Sequence, residues 1–174
     1  MEQATLLKPV EPPTDPAASP CDSDLFGLYK FEVLGEAVPQ GSKKGFLDKF
    51  GHVRVVDDNK TALNRWRKLV AETAAYSKPA WLREPWDGPV FLSVVFVRER
   101  SPNDYLTDGV TLRKGAHRYP DTAPDGDKLD RAIWDALTGI LFTNDSRVVS
   151  WVGAKRFGDV GEQAHTFIDV GFLR

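Results

Sequence analysis

The sequence contains few of the residues that build disulfide frameworks and zinc sites. It has a single cysteine, Cys21, and three histidines among 174 residues. One cysteine excludes an internal disulfide, and such cysteine usage is typical of a reducing compartment. His52, His117 and His165 are too scattered for a zinc-ligand spacing. We therefore expect a cytoplasmic protein without a structural zinc site.

Several other signatures are also missing. No apolar run approaches the roughly 18 residues that a membrane span needs, and the N-terminus lacks the basic and apolar segments of a secretory signal. No phosphate-binding glycine loop, dinucleotide fingerprint or serine-nucleophile elbow is present. An EF-hand that starts at Asp121 fails, because Ala123 and Ala132 would occupy two of its ligand positions. We expect neither a membrane partner nor these common cofactor sites.

The composition is that of an ordinary globular domain. Hydrophobic residues make up 41% of the chain and charged residues 28%, and the length predicts one domain. The net charge is −2, but residues 1–27 alone carry −4, which leaves +2 for the remainder. A mildly basic body permits a polyanionic partner without requiring one.

The chain divides into a tail and a folded domain. Residues 1–26 are acidic and rich in proline, which predicts a disordered tail, and residues 27–174 form the domain. Alternating and helical hydrophobic patterns predict a single α+β domain, with a mixed sheet and two helices in the order ββαβ–loop–αββ. The predicted strands are 28–35, 52–58, 89–100, 147–157 and 164–173, and the helices are 61–77 and the segment between Asp127 and Gly139.

The second predicted helix starts with an unusual density of acids, in the stretch PDGDKLDRAIWDAL at 124–137. Helix electrostatics account for part of it. Asp127 is a suitable N-cap, and Asp130 lies in the first turn, where the helix dipole favours negative charge. Arg131 and Asp135 are spaced to pair on the exposed face.

Helix capping leaves two other acids without a role. Asp125 lies before the helix, and Asp145 lies in the polar turn TNDS that opens the next strand. A short glycine-containing link suggests that this strand starts beside the helix. Carboxylates from Asp125, Asp127 and Asp145 would then be suited to Mg²⁺, which prefers oxygen ligands and keeps waters and substrate phosphate in its octahedron.

The same region resembles the RusA family of Holliday junction resolvases. The resemblance rests on PDGDKLDRAIWDALTG, on FTNDSRVV about twenty residues later, and on a strand ending AKRF. The early stretch FEVLGEAVPQGSKK is similar to the family's first strand and Pro/Gly loop. The resemblance covers about residues 29–172 and is specific within 124–157.

The resemblance implies a dimeric, Mg²⁺-dependent endonuclease of phage or prophage type, with Mn²⁺ as a possible substitute, that cleaves four-way DNA junctions in a bacterial or infected cell. Asp125 and Asp127 match the family's paired acids, and Asp145 matches its third acid. Arg131 stands where the best-known members have lysine. Arginine does not readily give up a proton, so we expect an electrostatic role for it.

Several basic residues are candidates for contact with DNA. They are Lys43 and Lys44 at the predicted loop tip, Arg113, Lys114 and Arg118 on the long loop before the site, and Lys128, Arg147 and Lys155. Lys155 ends the strand that Asp145 opens, up to ~33 Å away. We therefore expect Lys155 to meet a flanking DNA arm. Trp66, Trp134 and Trp151 are predicted to be structural, with Trp134 the best candidate for a dimer or stacking contact.

Two other interpretations stay open at this point. The chain could be a catalytically silent junction-binding protein, which would bind junctions without cutting them. It could also be an α+β interaction module whose acids are only helix caps, which would have neither Mg²⁺-dependent stabilisation nor junction affinity.

Overall fold

A computed structural model describes residues 24–41, 43–47, 49–57 and 59–174, without the side chains of 43–47 and 53–57. Cys21 and most of the predicted tail lie outside the described residues. The elements, in chain order, are β1 (Leu25–Leu34), β2 (Lys43–Leu47), β3 (Val53–Asp57), α1 (Lys60–Tyr76), β4 (Val90–Arg98), α2 (Gly126–Leu137), β5 (Val148–Phe157) and β6 (His165–Leu173). None of the described helices is long and apolar enough to cross a membrane.

The predicted α+β class, with a mixed sheet and two helices, is confirmed. Four strands form the main sheet in the order β1-β6-β4-β5. The β1–β6 and β6–β4 pairs are antiparallel, whereas β4 and β5 run parallel. The chain therefore crosses from β4 to β5 through the long loop and α2, and β5 forms one edge of the sheet.

The prediction of a loop at Lys43 and Lys44 is wrong. Both residues lie on β2, which pairs antiparallel with β3 in a separate two-stranded sheet, with Lys43 opposite Asp57. The segment KKGFL has no alternation of apolar and polar residues, so the period-2 signal of a strand is missing from it. The side chains of the two lysines lie outside the described part of the chain.

Both helices contribute to one hydrophobic core on a single face of the main sheet. Trp66 and Val70 of α1 and Ile133 and Leu137 of α2 are buried in the same cluster as Phe96 of β4. The five apolar residues that recur at helical spacing along α2 are all buried: Leu129, Ala132, Ile133, Ala136 and Leu137. Burial of each large side chain contributes about 1.5–3 kcal/mol, so packing rather than capping holds α2 in place.

The end of α2 follows the sequence prediction. The helix stops at Leu137, and Gly139 adopts φ +78°, a conformation that favours glycine. Its N–H donates to the carbonyl of Phe142 at 2.7 Å, and the N–H of Thr143 donates to the carbonyl of Trp86 at 3.0 Å. The chain thus turns back at the amino end of β4, and β5 then runs antiparallel to α2.

Candidate active site at the start of helix α2

Asp125 occupies the N-cap position of α2, so the expectation that Asp127 is the N-cap is wrong. Asp127 lies in the first turn, and the helix begins at Gly126. The carboxylate of Asp125 makes no capping hydrogen bond. It lies instead 2.8 Å from the Lys128 ammonium, which lowers the pKa of Asp125 by hydrogen bonding and by charge. Asp125 is therefore held as an exposed anion beside the helix start.

Lys155 also reaches the start of α2. Its ammonium donates to the carbonyls of Thr122 at 3.1 Å and Pro124 at 2.9 Å, and its charge also helps to lower the pKa of Asp125, after the larger effects of Lys128. The sequence predicts that Lys155 lies far from Asp145 and meets a flanking DNA arm; in the structure it lies beside Asp125. Because β5 runs antiparallel to α2, the end of the strand returns to the beginning of the helix.

Asp130 is buried, so its interpretation as a solvated helix charge is also wrong. Asp130 is only 8% exposed, and its Oδ1 atom has no hydrogen-bond partner among the described residues. Burial, and secondly the negative charge of Asp127, raise the pKa of Asp130 to about 6. Asp127 lies one turn before Asp130 on the same helix face. A buried carboxyl group with a raised pKa thus lies one helical turn from Asp127.

Gly153 of β5 provides the space that Asp130 occupies. A Cβ atom at position 153 would lie 2.5 Å from Oδ2 and 2.8 Å from Oδ1 of Asp130. Real Cβ contacts are not that short, so any side chain at position 153 must displace the carboxyl group. Glycine inside a strand often marks a close approach by another group, and here that group is Asp130.

We expect Gly153→Ala to lower the free energy of unfolding by about 2 kcal/mol, the range of an overpacked site. In an Asp130→Ala background the same change should cost less than about 0.5 kcal/mol, because the obstructing carboxyl is gone. Denaturant unfolding of the two single variants and the double variant measures this coupling. Equal costs in both backgrounds would contradict the assigned contact.

Asp145 lies at the opposite end of the β4–β5 pair. It begins a short 3-10 turn at Asp145–Arg147, next to the first residue of β5. Arg147 donates to Asp87 at 2.7 Å, and Asp87 precedes β4. The start of α2 instead lies at the other end of β4, where Arg98 donates to the carbonyl of Ala123 at 2.9 Å. Eight residue steps along β4 separate the two ends by roughly 26 Å.

The expectation that the strand start lies beside the helix start is therefore wrong within one chain. In the part of the chain that the structure describes, no group of three or more His, Cys, Asp or Glu residues stands ready to hold a metal. Asp125 and Asp127 share one end of α2, and Asp145 lies near the other. The position of each acid follows from the antiparallel path of α2 and β5.

The predicted Arg131–Asp135 pair does not form. Asp135 instead forms an ion pair with Arg67 of α1. Arg131 is exposed one turn after Asp127, and within the described ranges it has no ion-pair partner. Its guanidinium therefore remains available to an anionic ligand near the paired acids.

The loop after β1 forms the second wall of the site. The N–H of Gln40 donates to the carbonyl of Lys128 at 2.9 Å. Between this loop and the start of α2 lies an open groove of about 510 Å³. Its lining comes from residues 36–41, Asn59, Ala123–Asp125 and Lys128. The groove gives an extended ligand access to Asp125.

The remaining basic candidates are dispersed. Arg113, Lys114 and Arg118 are exposed on the long loop, where Arg113 donates to the carbonyl of Tyr105 at 2.7 Å. Arg147 is tied to Asp87 at the far end of β4. Only Lys128 and Lys155, among the described candidates for DNA contact, lie against Asp125.

The three tryptophans have different surroundings. Trp66 is buried in the core, as predicted for a structural residue. Trp134 packs partly against the same core and meets Trp151 edge-on, with ring centroids 5.1 Å apart. Trp151 projects from β5 and is 53% exposed. The aromatic pair thus extends from the core to the edge of the sheet.

Comparison with known proteins gives two matches. The family model described as endodeoxyribonuclease RusA matches residues 36–170. The uncharacterized protein YqaN of Bacillus subtilis (strain 168) is 30% identical over 132 residues, a stretch that covers 75% of this chain and 88% of YqaN. The family-model match begins after β1 and includes the start of α2 and the whole of β5.

Proposed function

The chain belongs to the RusA family of Holliday junction-resolving endodeoxyribonucleases, and from this premise we propose that it cuts four-way DNA junctions by Mg²⁺-dependent phosphodiester hydrolysis at the start of α2. The observation that carries this proposal is the pair of exposed carboxylates, Asp125 and Asp127, beside the cations Arg131 and Lys155. If Asp125 served only as a helix cap, its side chain would accept a hydrogen bond from the first turn of α2, and it accepts none.

The residues at the helix start fit a magnesium ion. Mg²⁺ is usually held by one or two carboxylates, with waters and substrate phosphate completing its octahedron. Asp125 and Asp127 supply two such carboxylates, and the Lys155 ammonium lies beside Asp125. When bound, the ion polarises the phosphoryl oxygen and lowers the pKa of the attacking water.

The other residues orient the DNA and balance its charge. Arg131 contributes a permanently charged guanidinium that stabilises negative charge on the phosphoryl oxygens as the bond breaks. Lys128 and Lys155 bind the backbone next to the scissile phosphate. Lys43, Lys44, Arg113, Lys114, Arg118 and Arg147 are assigned to the flanking arms. Asp145 lies too far from this site within one chain, so we assign it as the third carboxylate of the site in a second copy of the chain.

Symmetric cleavage of a four-way junction requires two active sites, which a two-fold homodimer supplies. We therefore assign branched DNA as the substrate and a second copy of the chain as the partner. We assign the protein to phage or prophage recombination and repair in the bacterial cytoplasm, with Mn²⁺ able to replace Mg²⁺.

The direct test uses the full chain on synthetic DNA. We expect paired nicks in a four-way junction in the presence of Mg²⁺ or Mn²⁺, no nicks in EDTA, and little cutting of linear duplex of the same sequence. Denaturing gels of strand-labelled substrates measure the positions and rates. Junction binding without cutting at any metal concentration would identify a silent binding protein and overturn the proposal.

A further inference from the structure

Lys128 is in direct contact with one of the paired acids. Its ammonium lies 2.8 Å from Oδ2 of Asp125, the residue that precedes α2. The charge of Asp127 also raises the pKa of Lys128, after the larger effects of Asp125. One lysine is therefore coupled to both of the carboxylates that we assign to the magnesium ion.

The other two cations of the site leave these carboxylates open. The Lys155 ammonium donates to two backbone carbonyls, at 2.9 and 3.1 Å, which hold it against the segment before α2. Arg131 is exposed and, within the described ranges, has no ion-pair partner. Of these three cations, Lys128 is therefore the one that occupies a carboxylate of the pair.

Lys128 is also an unfavourable residue for its position in the helix. α2 begins at Gly126, so Lys128 lies in the first turn. The positive end of the helix dipole disfavours a cation there. The ion pair with Asp125 offsets this cost, whereas a neutral side chain at position 128 would not incur it. The placement therefore argues that Lys128 serves the site rather than the helix.

The ion pair between Lys128 and Asp125 is one that a stronger ligand can displace. The two side chains are 37% and 59% exposed, and exposed ion pairs are weak. A lysine ammonium is a point charge on a flexible four-carbon stem. The backbone, by contrast, is held, because the carbonyl of Lys128 accepts from the N–H of Gln40 at 2.9 Å. The ammonium can therefore leave Asp125 while α2 stays in place.

We propose that Lys128 competes with the divalent cation for Asp125 and thereby makes metal loading depend on DNA. This inference rests on the proposed nuclease function. While its ammonium neutralises Asp125, the site binds a divalent cation weakly. A DNA phosphate beside α2 offers the ammonium a second partner, and its movement to that phosphate leaves both carboxylates to the metal. Lys128 is therefore a positioning residue, which acts on the metal through Asp125.

The coupling acts in both directions. If DNA raises the affinity for the metal by drawing Lys128 away from Asp125, the metal raises the affinity for DNA by the same factor. The arrangement disfavours a loaded site on a chain without DNA, where no scissile phosphate is present. A phosphate that ligates the metal also couples the two ligands, but that contribution survives the removal of Lys128.

Metal titration of the full chain without DNA is the direct test. Lys128→Gln keeps most of the side-chain length and removes its charge. We expect this variant to bind Mn²⁺ about tenfold more tightly than wild type, the order expected when a unit charge is removed a few ångströms from a divalent ion in water. Electron paramagnetic resonance of free Mn²⁺ measures the affinity, and this readout requires no cleavage.

Lys68→Gln is the matched control. Lys68 lies on the exposed face of α1 and pairs with Glu72 at 3.7 Å, so the variant loses the same charge outside the site. Its affinity for Mn²⁺ should equal that of wild type. Asp125→Asn should remove the Mn²⁺ site in both the wild-type and the Lys128→Gln background, because Asp125 holds the ion in each.

A second titration measures the coupling to DNA. The affinity for a linear duplex, which should be little cut, is measured with Mn²⁺ and with EDTA. Mn²⁺ should raise this affinity several-fold more in wild type than in Lys128→Gln, where only the shared phosphate couples the ligands. Equal increases in the two proteins would show that Lys128 does not link metal to DNA, and would overturn the proposal.

The Mn²⁺ titration also separates this proposal from the nuclease function. If wild type and Lys128→Gln bind Mn²⁺ equally, or if the variant binds it more weakly, the competition is wrong and the metal site stands. If neither protein binds Mn²⁺ and wild type does not cut junctions, the proposed function fails first. The two failures are therefore distinguishable.

Discussion

Asp127→Asn is expected to slow junction cleavage by roughly 10³-fold, at the upper end of what a single charge-stabilising group contributes to catalysis. Asparagine keeps the size and one oxygen of the side chain but loses the negative charge that holds a divalent cation. Asp127 is exposed in the first turn of α2 and contributes nothing to the core. Single-turnover assays on a four-way junction measure the loss.

The same substitution should not unfold the protein. The charge of Asp127 helps to raise the pKa of Asp130, so its removal relieves the buried carboxyl, and the free energy of unfolding should stay equal or rise above pH 6. Junction affinity without metal should also be retained. A folded Asp127→Asn protein that cuts at the wild-type rate would remove Asp127 from the catalytic set.

Asp135→Asn is the matched control on the same helix. Asp135 pairs with Arg67 of α1 at the surface, away from the start of α2. Surface ion pairs contribute about 0–1 kcal/mol, so this variant should lose little stability and cut at nearly the wild-type rate. A comparable loss of cleavage in both variants would indicate a general effect of helix charge rather than a role for one carboxylate.

Most of the fold could be predicted because it depends on patterns within single elements. Helical spacing of Leu129, Ile133 and Leu137 predicts the buried face of α2. Alternation of Tyr29, Phe31 and Val33 predicts β1, where Tyr29 and Val33 are buried and Phe31 is half-buried. Both patterns identify the side chains that become buried when the chain folds. Strand β2 was not predicted, because its two lysines and glycine interrupt the alternation of apolar and polar residues that marks a strand.

The assembly of the site could not be predicted, because it depends on the directions of neighbouring elements. Asp145 follows Asp125 by twenty residues in the sequence. In the fold, however, β5 starts near the end of α2, and Asp125 lies at the beginning of that helix. The burial of Asp130 depends on a glycine in another element, Gly153. An isolated glycine in a predicted strand was the available signal of a close contact, but it does not identify the contacting residue.

The burial of the Asp130 carboxyl against Gly153 lowers the stability of the folded state. A nine-tenths buried carboxyl with an unsatisfied oxygen opposes folding whenever it is ionised. An apolar residue would pack more favourably at this helix position. The pH dependence of stability measures the cost of the carboxyl directly.

Asp130→Asn is therefore expected to raise the free energy of unfolding at pH 7.5, in EDTA, by about 3 kcal/mol. The pKa of Asp130 is raised to about 6 in the folded chain from its ordinary value of 3.8, and each pKa unit corresponds to about 1.4 kcal/mol. Because the folded state holds this proton more firmly, wild-type stability falls as the pH rises from about 4 to 6 and then stays low.

The variant has no carboxyl to ionise at this position, so its advantage over wild type should be greatest above pH 6.5 and vanish near pH 4. Urea unfolding at several pH values measures both curves. Parallel curves would show that Asp130 is not desolvated in the folded chain. Increased stability at pH 7.5 together with slower junction cleavage would instead show that the buried carboxyl serves the neighbouring acids of the site, since packing alone favours its removal.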